Sequence, residues 1–220
     1  MRVDGQVERK PSRPVAETAA VEIEAPPRFV SRGGEKLQGA FDLFGGADVP
    51  LEAAGRVCLD VGSSTGGFTD CLLKRGAREV VAVDSGIGQL HESLLNDPRV
   101  RSIEHFNARE MDLVTTDGYC DIAVADVSFI SQTYIIPRIS AVLKDGGIFV
   151  SLIKPQFEAG RAALGKNGIV TSAAYRFLAA KRVITSAVEN GFDCIGFIRS
   201  PIEGGDGNKE YLAYFVKKSC

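Results

Sequence analysis

A chain of 220 residues, 45% of them hydrophobic, has enough apolar material to bury one α/β core with room for a small appendage. It has no run of 18 apolar residues and no apolar stretch behind its charged start, which argues against a membrane span, a stable membrane association and a secretory leader. The net charge of −2 weighs mildly against a nucleic-acid partner, and the five cysteines (58, 71, 120, 194 and 220) lack C-x-x-C spacing, so the expectation is no metal, no disulfide framework and a cytoplasmic protein.

Residues 1–27 differ from the rest. Val3 to Val7 holds an Asp-Gly pair between short β-formers, a hairpin signal. Pro11 and Pro14 follow, then Ala20 to Glu24 alternates like a strand, and Pro26-Pro27 reads as a stiff linker. The piece is too small to hold a core alone, which leaves a disordered tail or the remnant of a small domain. Residues 28–36 gather three cations and one acid around Gly33 and Gly34. A helix then runs towards Phe44, with Leu37, Ala40, Phe41 and Phe44 on one face. Lys36 sits in its first turn, where a cation opposes the helix dipole and so wants a reason.

The most informative stretch is 56–70. Val57 to Val61 reads as a buried strand, Gly62, Gly66 and Gly67 as a tight loop, and Phe68 to Leu73 as the start of a helix. A dinucleotide site wants G-x-G-x-x-G to seat a pyrophosphate. The spacing here is D-x-G-x-x-x-G-G, with Asp60 ahead of the first glycine, and it suits an adenosine ligand without a pyrophosphate. It looks like the S-adenosylmethionine (SAM) loop of class I methyltransferases. A nicotinamide dinucleotide and a purely structural turn are the alternatives. Val80 to Asp84 is a second strand ending in an acid, 24 residues after Asp60, placed to grip a ribose diol or else to cap a turn.

The alternation continues. Leu90, Leu94 and Leu95 fit a helix, Val100 to Ile103 a third strand, Asp121 to Asp126 a fourth, Thr133 to Leu143 a helix, and Gly147 to Lys154 a fifth strand. Residues 155–171 read as a long loop and candidate lid, Ala173 to Asn190 as a helix closed by Gly191, and Cys194 to Ile198 with Tyr211 to Val216 as an antiparallel edge pair. Neither His91 nor His105 has a recognisable partner, and both read as structural or surface residues. The pattern predicts an α/β, doubly wound, mostly parallel seven-stranded sheet with a short N-terminal β appendage.

Ligands in such sheets bind beyond the strands' carboxyl ends. That rule brings Asp60, Asp84, Asp126 and Lys154 to one crevice, with Glu210 on the same rim and Lys36 reaching it from its helix. Lys36, Asp126, Lys154 and Glu210 would surround the methyl group of a bound SAM and deprotonate a nucleophile such as a ribose 2′-hydroxyl. A lysine is a base only as the free amine; Lys36 takes that role here, and ordinary ion pairing is the competing explanation for each residue singly. Between Lys154 and Arg182 stand six cations (Lys154, Arg161, Lys166, Arg176, Lys181 and Arg182) against one acid, Glu158, an electrostatic footprint for phosphate or else a solvated helix face.

Five segments carry a resemblance: Val30 to Lys36, Leu59 to Asp70, Asp126 to Ile130, Ile153 to Glu158 and Gly207 to Glu210. In this order they resemble the TlyA family, FtsJ-like ribose 2′-O-methyltransferases of ribosomal RNA often labelled haemolysin A. The resemblance covers roughly residues 28–217. It implies a class I, Rossmann-like methyltransferase fold over 28–220, SAM as cofactor, and ribosomal RNA or ribosomal subunits as partner, with a cytidine ribose as acceptor. It places a K-D-K-E tetrad on Lys36, Asp126, Lys154 and Glu210. Gly62, Ser63, Gly66, Phe68 and Asp84 then line the SAM site beside Asp60 and Gly67, with Asn107 towards the adenine. Arg32, Arg161, Lys166, Arg176, Lys181 and Arg182 are the expected RNA contacts. The family begins with a complete S4 RNA-binding domain, of which residues 1–27 resemble only the final β portion. A membrane-active haemolysin and an NAD(P)-dependent oxidoreductase are the alternative functions.

Overall fold

The computed structural model describes residues 2–8, 14–16, 18–22 and 27–219. Seven strands form the central sheet: β1 (Val57–Val61), β2 (Glu79–Val83), β3 (Val100–Ile103), β4 (Cys120–Ala125), β5 (Leu143–Ile153), β6 (Phe192–Arg199) and β7 (Tyr211–Lys217). Their spatial order is β3-β2-β1-β4-β5-β7-β6. Every pairing is parallel except those of β7, which runs antiparallel to both β5 and β6. β1 to β3 step outward in one direction and β4 and β5 in the other, so the switch point lies between β1 and β4, where a doubly wound sheet opens its crevice.

The helices are α1 (Gly33–Phe44), α2 (Gly67–Lys74), α3 (Glu92–Leu95), α4 (Leu113–Thr116), α5 (Ile136–Val142), α6 (Pro155–Glu158) and α7 (Ala173–Glu189). The inner strands are apolar on both faces because helices cover both. Cys58, Val80, Val124 and Leu212 meet Leu37, Phe41, Phe44, Phe68 and Leu72 of α1 and α2. Leu59, Val81, Phe149 and Phe215 meet Ile136, Ile139, Val183 and Ala187 of α5 and α7. Phe44 stacks on Tyr214 with ring centroids 4.7 Å apart, and the Tyr214 hydroxyl donates to Val49 O at 2.7 Å, which fixes the end of α1 to the sheet.

Four elements differ from the sequence reading. The helix expected over Leu90 to Leu95 is a single turn, because Glu104 accepts hydrogen bonds from Gly88 N and Gln89 N and holds the preceding stretch as a loop. The helix expected over Thr133 to Leu143 splits into a 3-10 turn, Gln132–Tyr134, and α5, with Pro137 in the first turn of α5, where its missing N–H costs nothing. β5 begins at Leu143, four residues before the predicted start. The candidate lid holds α6 and two 3-10 turns, Arg161–Ala163 and Lys166–Gly168.

At the N-terminus, Arg2–Val3 pairs antiparallel with Gln6–Val7 and with Val21–Glu22. Asp4 and Gly5 both have positive φ, the turn that an Asp-Gly hairpin requires. Pro11, Pro26, Cys220 and the end of the predicted strand at Glu24 lie outside the described residues.

Candidate functional site

The loop after β1 is held from the end of β2. Gly62 N and Ser63 N both donate to Val83 O, at 2.8 and 3.2 Å. Asp84, just past β2, accepts from Ser64 N through Oδ2 at 2.8 Å and from Gly86 N through Oδ1 at 2.7 Å. Gly62 has φ +83°, and a Cβ there would lie 2.7 Å from Asp126 O. The loop can therefore pass this close to the end of β4 only without a side chain. Gly67, which opens α2, and the buried Phe68 follow against Ser31 and Gly33 of the preceding segment.

Two cavities meet on this loop. The larger, of about 730 Å³, is walled by Val61, Val83, Phe106, Val127, Ile130 and Ile135, with Asp84, Asn107, Asp126, Gln89, His105 and Arg109 among its polar groups. The smaller, of about 200 Å³, is lined by Ser31, Arg32, Gly33, Lys36, Ser63, Phe68, Lys154 and the loop at Glu203 and Gly205. Gly62, Ser64, Asp126 and Ser128 border both. A ligand in the larger cavity and another in the smaller would face each other across that strip.

Two ion pairs stand at the smaller cleft. Lys36 Nζ donates to Glu210 Oε2 at 2.6 Å, with both side chains buried. Lys154 Nζ lies 2.6 Å from Asp126 Oδ1 and donates to Ser128 Oγ at 2.8 Å. The four predicted tetrad residues thus come together as two lysine–carboxylate pairs. Phe129, three residues past Asp126, is 92% exposed with φ +64°, a backbone angle uncommon for an aromatic residue. Its ring lies 5.0 Å from that of Phe157.

Asp60 is not where the strand-end rule put it. It lies inside β1 with its side chain turned to α2, fully buried, and borders neither cavity. Its Oδ2 accepts from Thr69 Oγ1 at 2.7 Å, while Oδ1 has no hydrogen-bond partner. Burial, helped by the charges of Asp126 and Asp84, pushes its carboxyl up to about 7 against the hydrogen bond from Thr69. Gly66 also faces away from the cavities, against Leu94 and Leu90. Asn107 borders the larger cavity, and its Oδ1 accepts from Arg109 N at 3.2 Å.

The expected RNA contacts separate. Arg32 lines the smaller cleft and donates to Glu203 O at 2.9 Å. Arg161, Lys166 and Lys181 are exposed. Arg182 is exposed, with Nη1 3.3 Å from Glu158 O. Arg176 is half-buried and donates to Val170 O at 2.9 Å, so it fastens the loop before α7. Ser64, Ser128 and Glu203 were not singled out in the sequence. Ser128 sits inside the Asp126 to Ile130 segment, but nothing in its residue type marks it as a partner of Lys154.

A family model described as FtsJ-like methyltransferase matches residues 29–217. The chain is 41% identical over 216 residues, 97% of its length and 79% of the relative's, to the 16S/23S rRNA (cytidine-2′-O)-methyltransferase TlyA of Mycobacterium tuberculosis. It is 43% identical over 203 residues, 92% of its length and 82% of the relative's, to Hemolysin A of Brachyspira hyodysenteriae. Among solved structures, a Streptococcus thermophilus protein provisionally named a hemolysin is 44% identical with TM-score 0.83, covering 89% of this chain and 69% of that one. The fibrillarin of Aeropyrum pernix, solved with bound S-adenosyl-L-methionine, shares the fold at 18% identity and TM-score 0.57, covering 84% of this chain and 76% of that one.

Proposed function

The chain belongs to the FtsJ-like methyltransferases, within the TlyA family, and is a SAM-dependent RNA methyltransferase; from that premise we propose that it methylates a ribose 2′-hydroxyl, that of a cytidine, in ribosomal RNA. The observation that carries the reading is the pair of cavities meeting at Gly62, Ser64, Asp126 and Ser128, with both lysines on the smaller side.

The larger cavity fits the cofactor. Its volume lies in the range of small-molecule sites, and its apolar walls at Phe106, Val127 and Ile130 suit a purine. The Asp84 carboxylate suits a ribose diol, and the bare Gly62 backbone leaves room that a Cβ would fill. Gly62, Ser63, Ser64, Gly67 and Asp84 would hold the cofactor, with Asn107 towards the base. Asp60 and Gly66 support the loop from behind, and Phe68 packs at its helix end. When bound, the cofactor supplies an activated methyl and its own leaving group, so the chain must orient and deprotonate the nucleophile.

The sequence assigned proton removal to Lys36. The geometry favours Lys154, because both of its partners, Asp126 and Ser128, border the two cavities, whereas Glu210, the partner of Lys36, is buried beneath the cleft. In this reading Lys154 takes the hydroxyl proton as the free amine, Asp126 and Ser128 aim its Nζ, and the Lys36–Glu210 pair fixes the ribose from the opposite side. Arg32, Arg161, Lys166, Lys181 and Arg182 carry the RNA backbone, and Arg176 shapes the loop beneath them. Residues 1–27 contribute the S4-like β portion, and the reaction takes place in the cytoplasm.

The test is transfer of labelled methyl from SAM to ribosomal subunits and free rRNA from cells lacking the enzyme, with the label mapped to base or ribose. Label on a 2′-oxygen supports the reading, and label only on bases overturns it. Lys154→Ala should lower transfer by about 10²- to 10⁴-fold, the range for a general base, and Lys36→Ala by less, with SAM binding kept in both. A wild-type rate in Lys154→Ala would return the base assignment to Lys36. Among the described residues no helix is long and apolar enough to cross a membrane. Release of dye from liposomes by micromolar protein would favour the haemolysin alternative.

A further inference from the structure

We infer that Asn208 is a positioning residue that holds the basic segment 161–170 and the Glu210 carboxylate in one frame, an inference that rests on the ribose-methylation reading above. Asn208 is 2% exposed and uses both halves of its amide. Its Oδ1 accepts from Val170 N at 3.0 Å and its Nδ2 donates to Gly168 O at 3.2 Å. Its backbone closes the turn on the other side: Asn208 O accepts from Gly204 N, and Gly204 O accepts from Gly207 N, each at 2.9 Å. Gly204 in turn abuts the Glu210 carboxylate, since a Cβ there would lie 2.6 Å from Glu210 Oε1. Glu210 Oε2 accepts from Lys36 Nζ, and Glu210 O accepts from Ser200 N at 2.9 Å.

These contacts form one connected path from the exposed basic segment to the Lys36–Glu210 pair at the cleft. Arg161 and Lys166 are exposed on the segment that Asn208 ties down. The same residue sets the turn whose glycine leaves space for Glu210, two residues further along the chain. A phosphate pressing on Arg161 or Lys166 is therefore mechanically linked to the direction in which Glu210 presents Lys36. Neither a surface loop nor an isolated core amide has that arrangement. A core amide with no such role would lose stability on substitution and nothing else.

A double-mutant cycle separates the two cases. Single-turnover methyl transfer to the wild-type rRNA substrate is measured at saturating RNA and SAM for the wild type, Asn208→Ala, Glu210→Gln and the double variant, with S-adenosylhomocysteine affinity as the control for an intact fold. Asn208→Ala is expected to slow transfer by about tenfold in the wild-type background and by less than about twofold beside Glu210→Gln, since residues acting as a unit are not additive. S-adenosylhomocysteine affinity should stay within about twofold throughout. Equal losses in the two backgrounds, or no loss in either, would overturn the inference while leaving the methyltransferase reading intact. A wild-type chain that transfers no methyl to ribose would overturn the parent reading, and this inference with it. If Asn208→Ala does not fold, Asn208→Asp runs the same cycle, because the carboxylate keeps the acceptor for Val170 N and loses the donor for Gly168 O.

Discussion

Lys36 shows how a single residue can break a local rule for a distant reason. A cation in the first turn of a helix is unfavourable, and α1 tolerates it because Glu210, 174 residues later, meets it in a buried pair. Asp60 poses the opposite problem, an acid in the middle of a buried strand. Its pKa, raised by burial to about 7, means that the folded state holds a proton the unfolded chain releases near pH 4. The unfolded state binds fewer protons across that window, so this residue's contribution to stability falls as pH rises from about 4 to about 7 and is level above that. At about 1.4 kcal/mol per pKa unit the whole change is at most about 4 kcal/mol. Asp60→Asn, which keeps an acceptor for Thr69, should therefore gain stability relative to the wild type between pH 5 and pH 8. Urea unfolding at the two pH values measures it, and an unchanged difference would show that Asp60 is ionised throughout.

At the scale of elements, the cleft depends on a buried polar junction between α6 and the turn before α5. Glu158 is 3% exposed and accepts from Ser131 Oγ at 2.6 Å and Gln132 N at 2.8 Å. Gln132 donates to Leu152 O, and Ser151 Oγ donates to Gln132 Oε1, both at 2.6 Å. The junction binds α6, the 3-10 turn and β5 together just behind Lys154. Glu158→Ala strands the buried Gln132 N–H, while the Ser131 hydroxyl keeps Thr133 Oγ1 at 2.8 Å, and should destabilise the fold by about 1–3 kcal/mol, the cost of one unsatisfied buried group. A melting temperature unchanged in that variant would show that water replaces the carboxylate. The same junction explains why the predicted helix over Thr133 to Leu143 begins late: Gln132 is committed to the sheet, so the chain turns once before α5 starts.

For the whole molecule, the net charge of −2 hides an uneven distribution. No acid occurs between Glu158 and Glu189, while Arg161, Lys166, Lys181 and Arg182 stand exposed in that interval. If they carry the RNA backbone, affinity should fall steeply with salt. The Arg161→Ala, Lys166→Ala double variant should lower the slope of log K against log[KCl] by about 0.7 to 0.9 per cation removed. An unchanged slope would place the RNA elsewhere.

The order of strands and helices, the glycine loop and the residues just past β2, β4 and β5 were legible because each is a local pattern: period, turn chemistry, and a polar residue ending an apolar run. The antiparallel last pair was legible for the same reason, from two strands joined by a glycine-rich loop. Local patterns say nothing about which way a side chain within a strand points, so Asp60 was drawn to the crevice when its register turns it to α2. They also cannot pair residues far apart in the chain. That Lys36 takes Glu210 and Lys154 takes Asp126, that Arg176 fastens a loop, and that Asn208 joins the loop before β7 to the loop before α7 were decided only when the sheet brought those segments together. Sequence determines which groups a fold can bring to its rim; their partners depend on distances that exist only in the packed molecule.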